Sequence, residues 1–253
     1  MRRTITLTLI ALMAGGYFIT KHGEEMMESF FPRQRIVTVL FDTSGSTDPM
    51  KKSYLSSFDK ILKGLKAGDR IVVDKISGNS LAEATYPVNE ELPEYRFWDK
   101  RSSPNFKKKN EQELEKTRED IRNRVHSFVN ESEKSQTTAI MDSILLAEKV
   151  FTAYSDKKPT LVIFSDMMEV SGRANFLKEI PSTSNINQYI QNKSNGERID
   201  LRKATIYAIG ASAGGGYVSG DAYQRLQNFW IQYFDKANAS LSEKDFGAAL
   251  LTF

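Results

Sequence analysis

The chain of 253 residues contains no cysteine and only two histidines, His22 and His126. The first absence excludes disulfides, thiolate metal sites and cysteine nucleophiles. It also excludes a lipid-modified cysteine near the N-terminus. It does not identify a redox compartment, because exported bacterial proteins often lack disulfides. Two histidines make a multi-histidine zinc site a poor fit. No strong charge of one sign is present either: 35 basic and 32 acidic residues leave a formal net charge of +3. That balance argues against nucleic acid as a partner. Hydrophobic residues at 40% and charged residues at 26% are ordinary for a globular chain.

Long apolar runs are also scarce, with one exception at the N-terminus. Arg2 and Arg3 precede seventeen uncharged residues, Thr4 to Thr20, and Lys21 closes the stretch. A basic start followed by an apolar segment reads as a signal peptide or an N-terminal anchor over residues 1–21. A helix of that length spans roughly 25 Å, a little short of a hydrocarbon core of about 30 Å. Arg3 and Lys21 are placed to snorkel, which keeps the anchor open. Ala14-Gly15-Gly16 offers a peptidase a small-residue site, which keeps cleavage open. A buried N-terminal helix is the remaining alternative. Because positive charge stays inside, either exporting reading puts the rest of the chain outside the cytoplasm, in a periplasm or at the outer side of an inner membrane. Residues 22–34 read as a polar linker.

From residue 35 onward, strands and helices alternate. Ile36 to Phe41 is almost continuously apolar, as a strand covered on both faces requires. Tyr54, Leu55, Phe58, Ile61, Leu62 and Leu65 recur at helical spacing between Lys52 and Leu65. Ile71 to Val73 begins a second strand. Ala84 to Val88 reads as a short third strand, and Pro87 inside it points to a sheet edge. Charged helices follow over Lys107–Asn130 and then Ala139–Tyr154. Strands at Leu161–Phe164 and Thr205–Ile209 precede a last helix carrying Tyr223, Leu226, Phe229, Trp230, Tyr233 and Phe234. The pattern predicts an α/β fold: a doubly wound, mostly parallel open sheet with helices on both faces. Residues 35–253 form the domain, with a charged insert at about 78–136. Ligands of such sheets bind beyond the carboxyl ends of the strands.

Asp42-Thr43-Ser44-Gly45-Ser46 stands at that place after the first strand, and Ser165-Asp166 stands there after Leu161–Phe164. Two carboxylates and two hydroxyls make a hard-oxygen set suited to Mg2+. Two negative charges balance the ion without excess, so a further carboxylate from outside can still bind.

At these residues the sequence resembles the von Willebrand factor type A family, as found in bacteria. Asp42, Ser44 and Ser46 match its Asp-x-Ser-x-Ser motif, Thr138 the threonine of its second loop, and Asp166 the aspartate after its fourth strand. The resemblance covers about residues 35 to 245 and implies a Rossmann-like fold with a metal-ion-dependent adhesion site. It implies that Ser44, Ser46 and sometimes Thr138 ligate Mg2+, with Mn2+ or Ca2+ as substitutes, while Asp42 and Asp166 act largely through water. It also implies a protein partner whose Asp or Glu completes the coordination, and no catalysis.

The sequence departs from the family's pattern at several points. Ser135-Gln136 stands where a glycine usually precedes the threonine, and Thr137 competes with Thr138 as the ligand. Met167 replaces the glycine after the last aspartate.

Other readings stay beside this one. Ser44 and Ser46 can simply cap the following helix. A metal-independent scaffold would use the insert for contacts. A haloacid dehalogenase-type phosphatase needs a second aspartate, as general acid, where Ser44 stands. The Gly210–Gly216 segment lacks the Gly-Lys-Ser/Thr of a phosphate loop. Lys107-Lys108-Lys109 reads as a solvated helix start, His126 as a surface residue, and the stripe ending in Trp230 and Phe234 as core. Glu169 is placed to tune the field of the site. Neither it nor Asp48 or Asp142 is expected to ligate directly.

Overall fold

A computed structural model describes residues 33–94, 104–132, 135–191, 196, 198–211, 219–247, 249–250 and 253. The expected leader, residues 1–21, lies outside the described residues, as do most of the linker and residues 212–218 of the glycine-rich loop. No helix among the described residues is long and apolar enough to cross a membrane.

Six strands form one sheet: β1 (Arg35–Asp42), β2 (Arg70–Ile76), β3 (Val88–Glu91), β4 (Lys158–Phe164), β5 (Ala204–Ile209) and β6 (Ala239–Gly247). Their order is β3-β2-β1-β4-β5-β6. All neighbours run parallel except β2 and β3. Among the described residues four α-helices intervene: α1 (Lys51–Gly64), α2 (Pro104–Glu131), α3 (Ile140–Ala153) and α4 (Gly220–Lys236). This is the doubly wound α/β sheet the alternation predicts.

The apolar runs explain the layering. Successive strand side chains point to opposite faces. In β1, Ile36 and Leu40 join a core with α3 and α4, while Val37, Val39 and Phe41 join a second core with α1 and α2. β4 splits the same way, Leu161 and Ile163 against Val162 and Phe164. Strands flanked by helices on both faces have no wet side, hence no polar alternation. The aromatic stripe is core, with Phe229, Trp230, Tyr233 and Phe234 fully buried in α4.

Two expectations need correction. The third strand begins at Val88, not Ala84. Pro87 cannot donate to a ladder, and Tyr86 has a positive φ of 45°, so the chain pairs only past them. β3 is antiparallel and lies at the edge, as the proline suggested. The sixth strand was not expected at all. Its sequence, ASLSEKDFG, buries only Leu241 and Phe246. A bulge between Ile206 and Ala208 in the pairing further breaks its periodicity.

Within residues 78–136, β3 pairs with β2, and α2 places Ile121, Val125 and Val129 in the core beside α1. Lys108 and Lys109 are exposed at the start of α2. His126 is about one-third exposed and faces the Asp59 carboxylate at 3.3 Å.

The chain winds outward from β1 through β2 to β3, then returns to β4 and winds the other way to β6. β1 and β4 are therefore neighbours at the point where the winding reverses. A crevice opens at the carboxyl ends of the strands at such a point.

Candidate metal centre

Three loops meet at that crevice. The first follows β1. Asp42 ends the strand and is buried; its Oδ1 accepts the Ser44 N–H at 2.8 Å. The chain then enters a short 3-10 helix, Gly45–Met50, with Ser44 at the N-cap position. The Ser44 side chain makes no capping hydrogen bond. Its Oγ lies 3.0 Å from the Ser46 Oγ instead. The capping alternative for these serines is thereby overturned. Thr47 does the local work: its hydroxyl bonds the carbonyls of Asp42 and Ser44, both at 2.9 Å. That frees the two serine hydroxyls to share one edge of the crevice.

The second loop precedes α3. Ser135 N–H donates to the Thr43 carbonyl at 3.2 Å, which ties this loop to the first. Thr138 is buried and lines the crevice, whereas Thr137 is exposed and sits against Gly78. A Cβ on Gly78 would stand 2.0 Å from the Thr137 Oγ1, so glycine is what lets the loop seat there. Of the two threonines, Thr138 has the position for ligation.

The third loop follows β4. Ser165 donates its hydroxyl to Asp42 Oδ2 at 2.6 Å and accepts the Met167 N–H at 3.0 Å. Asp166 accepts the Met168 N–H at 3.0 Å and lines the crevice. Val170 exchanges both backbone hydrogen bonds with Thr138, each at 2.9 Å, closing the third loop on the second. Met167 takes φ 64°, the left-handed conformation for which glycine is the usual residue. Its buried side chain and the Trp230 Nε1–H on its carbonyl, at 2.9 Å, hold it there. Gly210, after β5, has φ 113°. A Cβ there would meet the Tyr54 hydroxyl at 2.1 Å and the Ser165 carbonyl at 2.8 Å.

Ser44, Ser46, Thr138 and Asp166 thus line one cleft of about 590 Å³, with Asp42 beneath them. Among the described residues no basic side chain lines it. Burial raises the Asp42 carboxyl to about 6, the nearby Asp166 adds to this, and the bonds from Ser165 and Ser44 oppose it. Burial likewise raises Asp166 above the ordinary carboxylate range. Among the described residues the site holds two desolvated carboxylates, three hydroxyls and no cationic side chain. Such a donor set fits a small hard cation. Both Asp42 oxygens already accept protein hydrogen bonds, so the carboxylate suits a water-mediated role better than a direct one.

Sequence reasoning missed Ser165 as the partner of Asp42; a hydroxyl directly before Asp166 was the available signal. It expected Glu169 to tune the field of the site, without a stated partner. Glu169 is fully buried and accepts the Met141 N–H at 3.0 Å, at the N-terminus of α3. Ser171 also donates to it. Burial pushes its carboxyl up to about 7. Asp142 is paired with Arg173 at 2.6 Å and Asp48 with Lys51 at 3.1 Å, which engages both away from the cleft.

These shifts fix a pH dependence. Asp42 and Glu169 hold a proton more tightly folded than unfolded. The stability this gives is full below about pH 4 and is lost as pH rises through their folded values near 6 and 7. Each shift corresponds to about 3 kcal/mol. Urea denaturation in chelator is therefore expected to show lower stability at neutral pH than at pH 5. A rise over that interval would contradict the burial of these charges.

No family model matches the chain, and no curated protein matches it. Solved structures do show likeness. A von Willebrand factor type A protein from Catenulispora acidiphila matches 80% of this chain and 37% of its own length, at 12% identity and TM-score 0.42. The pilus adhesin SpaC from Lactobacillus rhamnosus GG, in its open conformation, matches 87% of this chain and 28% of its own, at 9% identity and TM-score 0.46. Three N-terminal domains of the type V pili tip protein Mfa5 from Porphyromonas gingivalis match 87% and 47%, at 10% identity and TM-score 0.45. This chain spans less than half the length of each. The fold itself stands on the strand order and register described above.

Proposed function

We propose that this chain is a von Willebrand factor type A-like binding module that recruits a protein partner through Mg2+ in the cleft between β1 and β4. One observation carries the reading: three hydroxyls and two desolvated carboxylates converge at the switch point of the sheet, with no basic side chain lining the cleft among the described residues. Ser44, Ser46 and Thr138 would hold the ion, and Asp42 and Asp166 would act mainly through water. Mn2+ and Ca2+ are the alternative occupants. The bound ion would supply a Lewis-acidic position for an Asp or Glu of the partner. The two aspartates neutralise a divalent cation without excess charge, which leaves room for that third carboxylate.

Catalysis is not part of this reading. A phosphatase of the haloacid dehalogenase type needs a carboxylic acid where Ser44 stands, and the Ser44 hydroxyl is too weak an acid to protonate a leaving group at neutral pH. We place the domain outside the cytoplasm, held by its N-terminal segment or released from it, on the charge order of residues 1–21.

The immobilised chain, incubated with solubilised native membranes, is expected to retain a partner in Mg2+ and release it in chelator. Asp166→Ala should retain none. A partner held equally well in chelator would favour the metal-independent scaffold. Phosphate-ester turnover that vanishes in Asp42→Asn would overturn the binding reading altogether.

A further inference from the structure

The cleft has a second surface that the cation does not use. After β4 the chain runs in alternation: Asp166, Met168 and Val170 line the cleft, while Met167 and Glu169 between them are fully buried. That two-residue period sets an apolar track beside the acidic one. Leu177 completes the track at the mouth of the cleft. It is 63% exposed, and among the described residues it is the exposed large hydrophobic side chain. An isolated exposed leucine carries little meaning alone. Its place in the lining of the same cleft as the oxygen cluster gives it one. The volume, about 590 Å³, is also more than one carboxylate fills and falls in the range of pockets that take several groups.

We propose that the cleft reads two features of its partner: an acidic residue at the cation, and an aliphatic side chain within two positions of it, seated on Met168, Val170 and Leu177. This rests on the metal-dependent reading above. In an extended segment, residues two apart project to the same side about 6–7 Å from each other, which suits two adjoining subsites of one cleft. Charge points to the same occupant. Among the described residues Asp166 is the ionisable side chain in the lining, so a basic peptide would compete for the cation position, whereas an acidic one needs the cation and gains from the apolar track. Selectivity then comes from the aliphatic residue, because the carboxylate–cation contact is common to every acidic segment.

The test uses the whole chain and short capped peptides of glycine and serine carrying one aspartate. One peptide has leucine two positions from the aspartate, one has glycine there, one has lysine, and one has leucine with asparagine in place of the aspartate. Affinities are read by fluorescence anisotropy in Mg2+ and in chelator, beside calorimetry of Mg2+ alone. The leucine–aspartate peptide is expected to bind at least about tenfold tighter than the glycine–aspartate peptide. Leu177→Ser should abolish that preference and leave the Mg2+ heat unchanged; Leu177→Met should retain it. Equal binding of the two peptides, no binding of either at millimolar concentration, or a preference that survives Leu177→Ser would overturn the proposal. The metal reading fails separately: Mg2+ heat absent from the parent chain, with peptide binding equal in chelator, removes the cation and the two-point site together. A leucine preference with the asparagine peptide bound as tightly as the aspartate one also overturns the proposal, since one of its two contacts is then idle.

Discussion

Mg2+ titrated into the Asp42→Asn chain is expected to give about a 10–100-fold weaker affinity than in the parent, while the metal-free variant unfolds at a higher temperature near neutral pH. The two effects have opposite sign for one physical reason. Asp42 is a charge held out of water, with Asp166 close by and, among the described residues, no basic side chain in the cleft lining. A cation makes that charge favourable. Without one, the charge opposes folding above its raised value of about 6. Asparagine keeps the shape. Its oxygen can accept from Ser44 N–H, but the bond to Ser165 must reverse, with the amide donating to Oγ and the Ser165 hydroxyl losing its acceptor, which offsets part of the gain. The gain in the metal-free state should be about 1–3 kcal/mol. Calorimetry and thermal melts in chelator measure both. Unchanged Mg2+ affinity would remove Asp42 from the site. A less stable metal-free variant would mean that the carboxylate's hydrogen bonds outweigh its desolvation.

The second large effect concerns Trp230. Replacing it by alanine is expected to cost about 3–5 kcal/mol, as for other buried aromatics. The indole is fully buried and touches the rings of Phe176, Phe229, Tyr233 and Phe234. Its N–H also fixes the carbonyl of Met167, the residue held at positive φ directly after Asp166. Trp230→Phe separates the two contributions. It keeps most of the apolar contact and leaves that carbonyl unpaired, at a cost of about 1–3 kcal/mol. In Trp230→Phe, amide exchange should rise in residues 165–170 and stay unchanged in α1 on the far face of the sheet. Uniform faster exchange across both faces would show that Trp230 acts on global stability alone.

The parts of this protein that read clearly from sequence are those where burial is two-sided. β1 and β4 are apolar at nearly every position because helices cover both their faces, and the helices against them show clean periodicity. β6 escaped because an edge strand that buries two side chains looks like a polar loop. β3 was displaced because the proline that marked the edge also forbade pairing through it. At the site, Asp42, Ser44, Ser46 and Asp166 were legible because strand ends announce themselves. Thr138 was ambiguous with Thr137 until Gly78 was seen to seat the latter outward. Ser165 and Glu169 stayed hidden because their roles depend on partners far away in sequence: Asp42 lies 123 positions from Ser165, and Met141 lies 28 from Glu169. No local pattern encodes such pairs.

That same separation governs when the cleft comes into being. The Asp42–Ser165 contact exists only once β1 and β4 have paired in parallel, and parallel pairing across more than a hundred residues is a late and slow event in folding. The unfolded chain holds the two aspartates on separate segments, with no cluster for a cation to find. A ligand in the cleft therefore grips the finished structure and leaves the route to it untouched. Its stabilisation would belong to the unfolding rate rather than the folding rate: a bound cation would be a latch on a door that has already closed.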